Sequence, residues 1–227
     1  PAAYSFFIIT LIIHTLYKFF LCRVYDNSEL SYGYPLARGT PSLIVLFVTP
    51  LIFSDELTIS NIFSVSVLCF GIILLIFADS RFKKINLKGL SYALLVALMI
   101  AIYTIVDALG SRASDAIVYL IYYFAFDGII FNLLAILFLK NSNLSLSFFK
   151  KYSKEILISA ILASYSYFPA VYGFMVAKVA TVASLRETSI LFASLYGVFI
   201  LKEKIGILGF LSSCLIFAGV VLIKLYG

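Results

Sequence analysis

The sequence predicts an all-α fold, a polytopic membrane helical bundle with about eight transmembrane helices, and three observations lead there. Charged residues make up 12% of the 227 residues and hydrophobic ones 63%, whereas a soluble domain carries roughly 25% charged and 45–50% apolar. So little charge cannot cover a water-soluble globule, and the surplus apolar surface has to face lipid. Apolar runs recur at about the 20-residue length that a hydrocarbon core of roughly 30 Å requires. The runs show no period-two alternation, which argues against an outer-membrane barrel. Helices that satisfy their own backbone remain.

The first run, 3–22, carries the only histidine, His14, with Tyr17 and Lys18 one turn on. A lone histidine there reads as a satisfied structural group. The second, 33–53, is interrupted early by Pro35, Arg38, Gly39 and Pro41. The third, 59–78, places Gly71 before a stretch of Ile and Leu. The fourth, 87–109, has Asp107 close to its end, where the carboxylate is expected to reach interfacial water. The fifth, 116–139, holds Asp127 among aromatics, with Asn132 five residues on. In the sixth, 155–176, Tyr165, Tyr167 and Phe168 precede Pro169, which predicts a kink. The seventh, 180–201, contains the adjacent Arg186 and Glu187. The eighth, 205–225, carries Gly206, Gly209, Ser213 and Gly219, small residues suited to close helix packing.

Polar connections separate these runs, and their cations fall unevenly. Alternate loops hold twelve Lys and Arg in one set (Lys18, Arg23, Arg81, Lys83, Lys84, Lys88, Lys140, Lys150, Lys151, Lys154, Lys202, Lys204) against Arg112, Lys178 and Lys224 in the other. Twelve against three places the first set in the cytoplasm. The net charge of +6 therefore speaks of membrane orientation and of a lipid bilayer as partner, with no nucleic acid. Cys22, Cys69 and Cys214 have no CxxC spacing and no companion histidine, so they read as packing residues; no metal site or other cofactor is expected.

The chain repeats itself at about 147 residues. Arg38, Glu56 and Gly71 have counterparts in Arg186, Glu203 and Gly219, each set comprising an arginine early in a helix, an acidic loop and a glycine two-thirds along the next helix. Five helices fit between equivalent points, and an odd number of crossings turns the second copy upside down relative to the first. Residues 1–80 are expected to be three helices of a first copy and 81–227 a complete second copy of five. By that alignment two helices precede Pro1 in a longer parent of five plus five helices.

The stretch from Ser31 to Pro41, followed by Asp55-Glu56-Leu57, resembles the first-repeat pattern of EamA-type carriers in the drug/metabolite transporter superfamily. Ser184-Leu185-Arg186-Glu187-Thr188-Ser189 through Lys202-Glu203-Lys204 resembles the second-repeat pattern. The similarity runs from about Tyr17 to the C-terminus. It implies ten helices in the intact parent, no covalent chemistry, and transport of a small-molecule solute through an integral protein of a bacterial-type inner membrane. The family usually has a cytoplasmic C-terminus, whereas the loop charges argue the reverse.

Charges inside spans are costly, about 2.5–3.5 kcal/mol each on insertion scales, so they face a cavity or a partner. Arg38, freed from regular helix by its prolines, either holds an anionic group of a solute or snorkels and pairs. Arg186 and Glu187 either make fixed bridges between helices or, for Glu187, exchange a proton during transport. Asp127 either couples an ion, binds a solute amine or packs as a hydrogen-bonded group. Tyr34, Tyr165 and Tyr167 are the tyrosines placed to line a pocket, though tyrosines also belong to interfacial belts. The favoured role is a secondary carrier working by alternating access. A polytopic membrane enzyme acting on lipid-like substrates would need several His, Asp or Glu at one face, and a single His speaks against it. A non-transporting scaffold would have little docking surface in such short loops. An ATP-driven pump is excluded within this chain, which has no GxxxxGK[ST] motif.

Overall fold

A computed structural model describes residues 2–28, 30–53, 58–78, 87–138, 150–186, 188–202 and 206–226, and among these there is no strand. The helices are α1 (Ala2–Asn27), α2 (Leu30–Phe53), α3 (Ile59–Ala78), α4 (Leu87–Ala113), α5 (Ala116–Phe138), α6 (Ser153–Val176), α7 (Val179–Arg186), α8 (Thr188–Phe199) and α9 (Ile207–Tyr226). Among the described residues, each apolar run read from the sequence is helical over most of its length, with the seventh carried by α7 and α8. Among the described residues, four helices contain stretches long and apolar enough to cross a membrane: Tyr4–Asn27, Leu36–Phe53, Leu87–Ala113 and Ser153–Val176. Shorter apolar stretches lie at Ile62–Leu74, Ile117–Phe131 and Ile207–Ile223.

Two helices run further than their apolar stretches. α1 continues to Asn27 because its last turn is polar but internally satisfied: Arg23 pairs with Asp26 at 3.7 Å, and the Asn27 amide donates to the Arg23 carbonyl at 2.8 Å. α4 continues through Gly110, Ser111 and Arg112 to Ala113. Gly110 and Ser111 are buried there, so these residues continue the helix inside the protein where composition alone suggests a loop.

The chain forms two compact units. The first comprises Pro1–Thr15 and Val106–Val176, that is, the start of α1, the end of α4, and α5 and α6, which pack on one another. The buried side of α5 is a stripe of Tyr119, Leu120, Tyr123 and Asp127, at the i, i+4, i+8 spacing of one helix face. In α6 only Ala170, Val171 and Phe174 are buried, just beyond Pro169.

The second unit comprises Leu16–Ile105 and Ala177–Gly227. Here α3 packs along α9, and α2 packs against α3, α7 and α8. Leu68 of α3 and Ile216, Val220 and Ile223 of α9 are buried between them. The closeness of α3 and α9 depends on two glycines. A Cβ built on Gly71 would sit 2.7 Å from the Ile216 backbone nitrogen, and one on Gly219 would sit 2.6 Å from the Leu68 backbone nitrogen. Real Cβ atoms do not tolerate such distances, so each helix is notched by a glycine to admit the backbone of the other. As one advances along α3 from 68 to 71, its contact on α9 retreats from 219 to 216, so the two helices run antiparallel. Outside the core, Leu51, Ile59 and Ile207 are each more than four-fifths exposed, as side chains solvated by lipid tails would be.

Candidate functional site

In the first unit a carboxylate is buried completely. Asp107 of α4 is 0% exposed, and its two oxygens accept four hydrogen bonds. Oδ1 accepts from the Thr10 hydroxyl of α1 and from the Tyr119 hydroxyl of α5 at 2.8 Å. Oδ2 accepts from the Tyr167 hydroxyl of α6 and faces His14 Nε2 at 3.2 Å. An ionised carboxylate has about four lone-pair positions, so the protein itself fills its capacity. The arrangement needs one glycine: a Cβ on Gly110 would come within 2.6 Å of the Tyr119 ring, so its absence lets that ring lie against α4 with the hydroxyl at Asp107.

His14 completes the cluster. Its Nε2 points to Asp107 and also lies 3.2 Å from the Tyr167 hydroxyl; its Nδ1 meets the Tyr123 hydroxyl at 3.0 Å. The Nε2–H tautomer is the one that gives the carboxylate its fourth donor, leaving Nδ1 to accept from Tyr123. Thr10, His14, Asp107, Tyr119 and Tyr123 are buried, and Tyr167 alone of the six is half-buried. Asp127 is buried one turn beyond Tyr123 on the same stripe of α5. Arg112, at the end of α4, donates from Nε to the Phe174 carbonyl of α6 at 3.0 Å.

A second polar chain runs through the other unit. The Arg38 guanidinium of α2 lies over the Tyr34 ring at 5.6 Å. The Tyr34 hydroxyl donates to Ser189 Oγ of α8 at 3.0 Å, and that hydroxyl donates back to the Arg186 carbonyl at 2.8 Å. Arg186, closing α7, reaches the Tyr103 hydroxyl of α4 at 3.3 Å and lies over its ring at 5.8 Å. Tyr103 meets Tyr17 of α1 edge-on at 5.6 Å. Two guanidinium groups thus rest on tyrosine faces, an arrangement worth roughly 2 kcal/mol or more where water is excluded.

Of the residues singled out from the sequence, Arg38, Arg186 and Tyr34 come together in this second chain. Tyr167 and Asp127 lie in the first unit, Tyr167 in direct contact with Asp107 and Asp127 on the adjoining turn of α5. Tyr165 is 80% exposed, so its ring points away from the cluster. Its carbonyl is nevertheless four residues before Pro169, which has no N–H to offer it. Glu187 lies outside the described residues. His14 is a satisfied group, as expected, but satisfied by a carboxylate and two tyrosines. Asp107 is the principal difference: expected at interfacial water, it is enclosed. A readable signal existed, because 93, 96/97, 100, 103/104, 107 and 110/111 form one helical face of apolar and small residues, and all of these are buried. Among the described residues no three His, Cys, Asp or Glu side chains gather as a metal site would require.

Residues 87–225 match the EamA-like transporter family. The match takes in the Ser184–Ser189 and Lys202–Lys204 patterns, while the Ser31–Leu57 stretch lies outside it. Among curated proteins, none matches the chain. The match covers more than half of the sequence and agrees with the helices, the apolar surface and the few enclosed charges. This integral membrane protein belongs to the EamA-like transporter family, whose members carry small molecules across membranes.

Proposed function

We propose that the protein is a secondary carrier of small metabolites or drugs, working by alternating access between two inverted repeats, residues 1–80 and 81–227. The observation that carries this reading is the reciprocity of α3 and α9. Gly71 and Gly219 are 148 residues apart, and so are Leu68 and Ile216. Gly71 meets Ile216, and Gly219 meets Leu68. Each contact is the mate of the other, as across a two-fold axis. Because the helices are antiparallel, that axis is perpendicular to them, which for membrane-crossing helices means in the plane of the bilayer. This is the symmetry of inverted-topology carriers. The packing of α2 on α7 and α8 supports the same reading, since Arg38 and Arg186 are also 148 apart.

Within this carrier, Arg38 and Arg186, seated on Tyr34 and Tyr103, hold an anionic group of the solute. Asp127 and Glu187 are the carboxylates that meet a solute amine or a coupling ion. Tyr167 lines the route, and Tyr165 takes part through the carbonyl that Pro169 leaves without its usual donor. The membrane is the bacterial-type inner membrane.

The test is uptake into liposomes holding the full chain, with a panel of labelled amino acids, organic acids and nucleobases. At least one solute is expected to exchange above empty liposomes, with Arg38→Ala and Arg186→Ala each lowering the flux of an anionic solute at least tenfold. Absence of flux across the whole panel would overturn the carrier reading. Full flux in both arginine variants would remove the anion-binding assignment.

A further inference from the structure

We propose that the His14–Asp107 pair is the site at which this carrier takes up and releases a proton during transport, an inference that rests on the carrier reading above. The geometry rules out the plainer role for Asp107. With Thr10, Tyr119, Tyr167 and His14 occupying both oxygens, no acceptor position is left for a solute amine. What the cluster retains is the freedom to change its proton count. Histidine is the side chain whose charge changes between about pH 5 and 8, and this chain contains one.

The step involves no heavy-atom bond. In the deprotonated state Nε2–H faces Asp107, and Nδ1 accepts from the Tyr123 hydroxyl. A proton arriving at Nδ1 makes imidazolium, and the Tyr123 hydroxyl turns so that its oxygen accepts from Nδ1–H. The pair passes from a net charge of −1 to zero. A buried site with net charge is costly among lipid tails, and a compensated pair much less so. Loading a proton therefore changes the energy of enclosing the cluster, which is what a coupling site must do to favour one conformation over another. The groups facing His14 are Asp107 from α4, Tyr123 from α5 and Tyr167 from α6. Tyr119 and Thr10 face Asp107, Asp127 lies one turn beyond Tyr123, and on the histidine's own helix Tyr17 and Lys18 follow one turn later. The proton reaches and leaves Nδ1 through the Tyr123 hydroxyl that meets it.

Because there is one histidine, selective labelling gives one imidazole. The full chain carrying [15N]histidine, placed in lipid nanodiscs, is titrated by NMR. The two ring-nitrogen signals are expected to move together as the pH is lowered, and to do so differently in Asp107→Asn. Signals constant from pH 4.5 to 9 in the unaltered chain overturn the proposal without recourse to any variant. In liposomes, a pH gradient is expected to drive at least fivefold accumulation of a labelled solute from the panel, and His14→Gln to abolish that response. Solute flux indifferent to the gradient in the unaltered chain also overturns the proposal. Absence of all flux defeats the carrier reading instead, and the histidine titration still judges the proton site.

Discussion

Asp107 shows how one residue can organise three helices around itself. Its carboxylate draws a hydroxyl from α1, two from α5 and α6, and an imidazole from α1, each a hydrogen bond to a group able to carry charge. Such bonds contribute about 1.5–3 kcal/mol apiece. Tyr119→Phe removes one donor while keeping the ring against Gly110, and is expected to lower stability in detergent by about that amount, measured by thermal unfolding. Asp107→Ala, which strands His14 and three hydroxyls, should cost more, about 3–5 kcal/mol; equal losses in the two variants would contradict the four-donor arrangement. Much at this scale was legible in the sequence. Arg38 and Arg186 stand out because cations in apolar runs are rare; Arg38 lies over Tyr34, and Ser189 links Tyr34 to the Arg186 carbonyl. The His14–Asp107 contact was not legible, because the partners are 93 residues apart on different helices and no local spacing relates them. After Asp107, the small, polar-looking Gly110-Ser111 reads by composition as a loop, whereas close packing makes it a buried turn of α4.

Helices were the most legible feature, because length and apolarity alone mark a membrane span. Which face each helix presents was not, since a helix that is apolar all round carries little periodic signal. The glycines supplied part of what periodicity lacked. Gly71 and Gly219 are counterparts in the repeat, but that each receives the other's helix is a property of the fold and is not encoded in their spacing. Gly219→Leu is expected to force α3 and α9 apart and to lower the unfolding temperature sharply or prevent folding. Gly128→Ala, where an added Cβ meets nothing within 4 Å, should leave stability unchanged or raise it by up to about 1 kcal/mol through helix propensity. Similar effects of the two substitutions, compared by thermal unfolding of the purified proteins, would refute the notched packing.

For the whole molecule, the loop cations predict which side each loop faces. Twelve against three is a large bias, and the positive-inside tendency acts on short loops of this kind. In a version with Cys22, Cys69 and Cys214 replaced by serine, a cysteine introduced for Ser114, beside Arg112, is expected to react with an impermeant maleimide added to intact cells. One introduced for Lys151 should react only after the cells are opened. The opposite pattern would reverse the orientation and restore the family's usual cytoplasmic C-terminus. Neither the solute nor its direction of travel was written in the sequence, because binding depends on which enclosed groups share a space, and the spacing along the chain does not encode that.

The mutual seating of α3 and α9 has a consequence for how the protein is made. The two notches are 148 residues apart along the chain, and ribosomes add roughly 5–20 residues per second. From the moment Gly71 is synthesised, about 7–30 s must elapse before Gly219 exists. Through that interval the nascent α3 sits in the bilayer with its groove filled by acyl chains or by the insertion machinery. Assembly of this unit is therefore a late docking event in which lipid is squeezed out from between two helices already in the membrane.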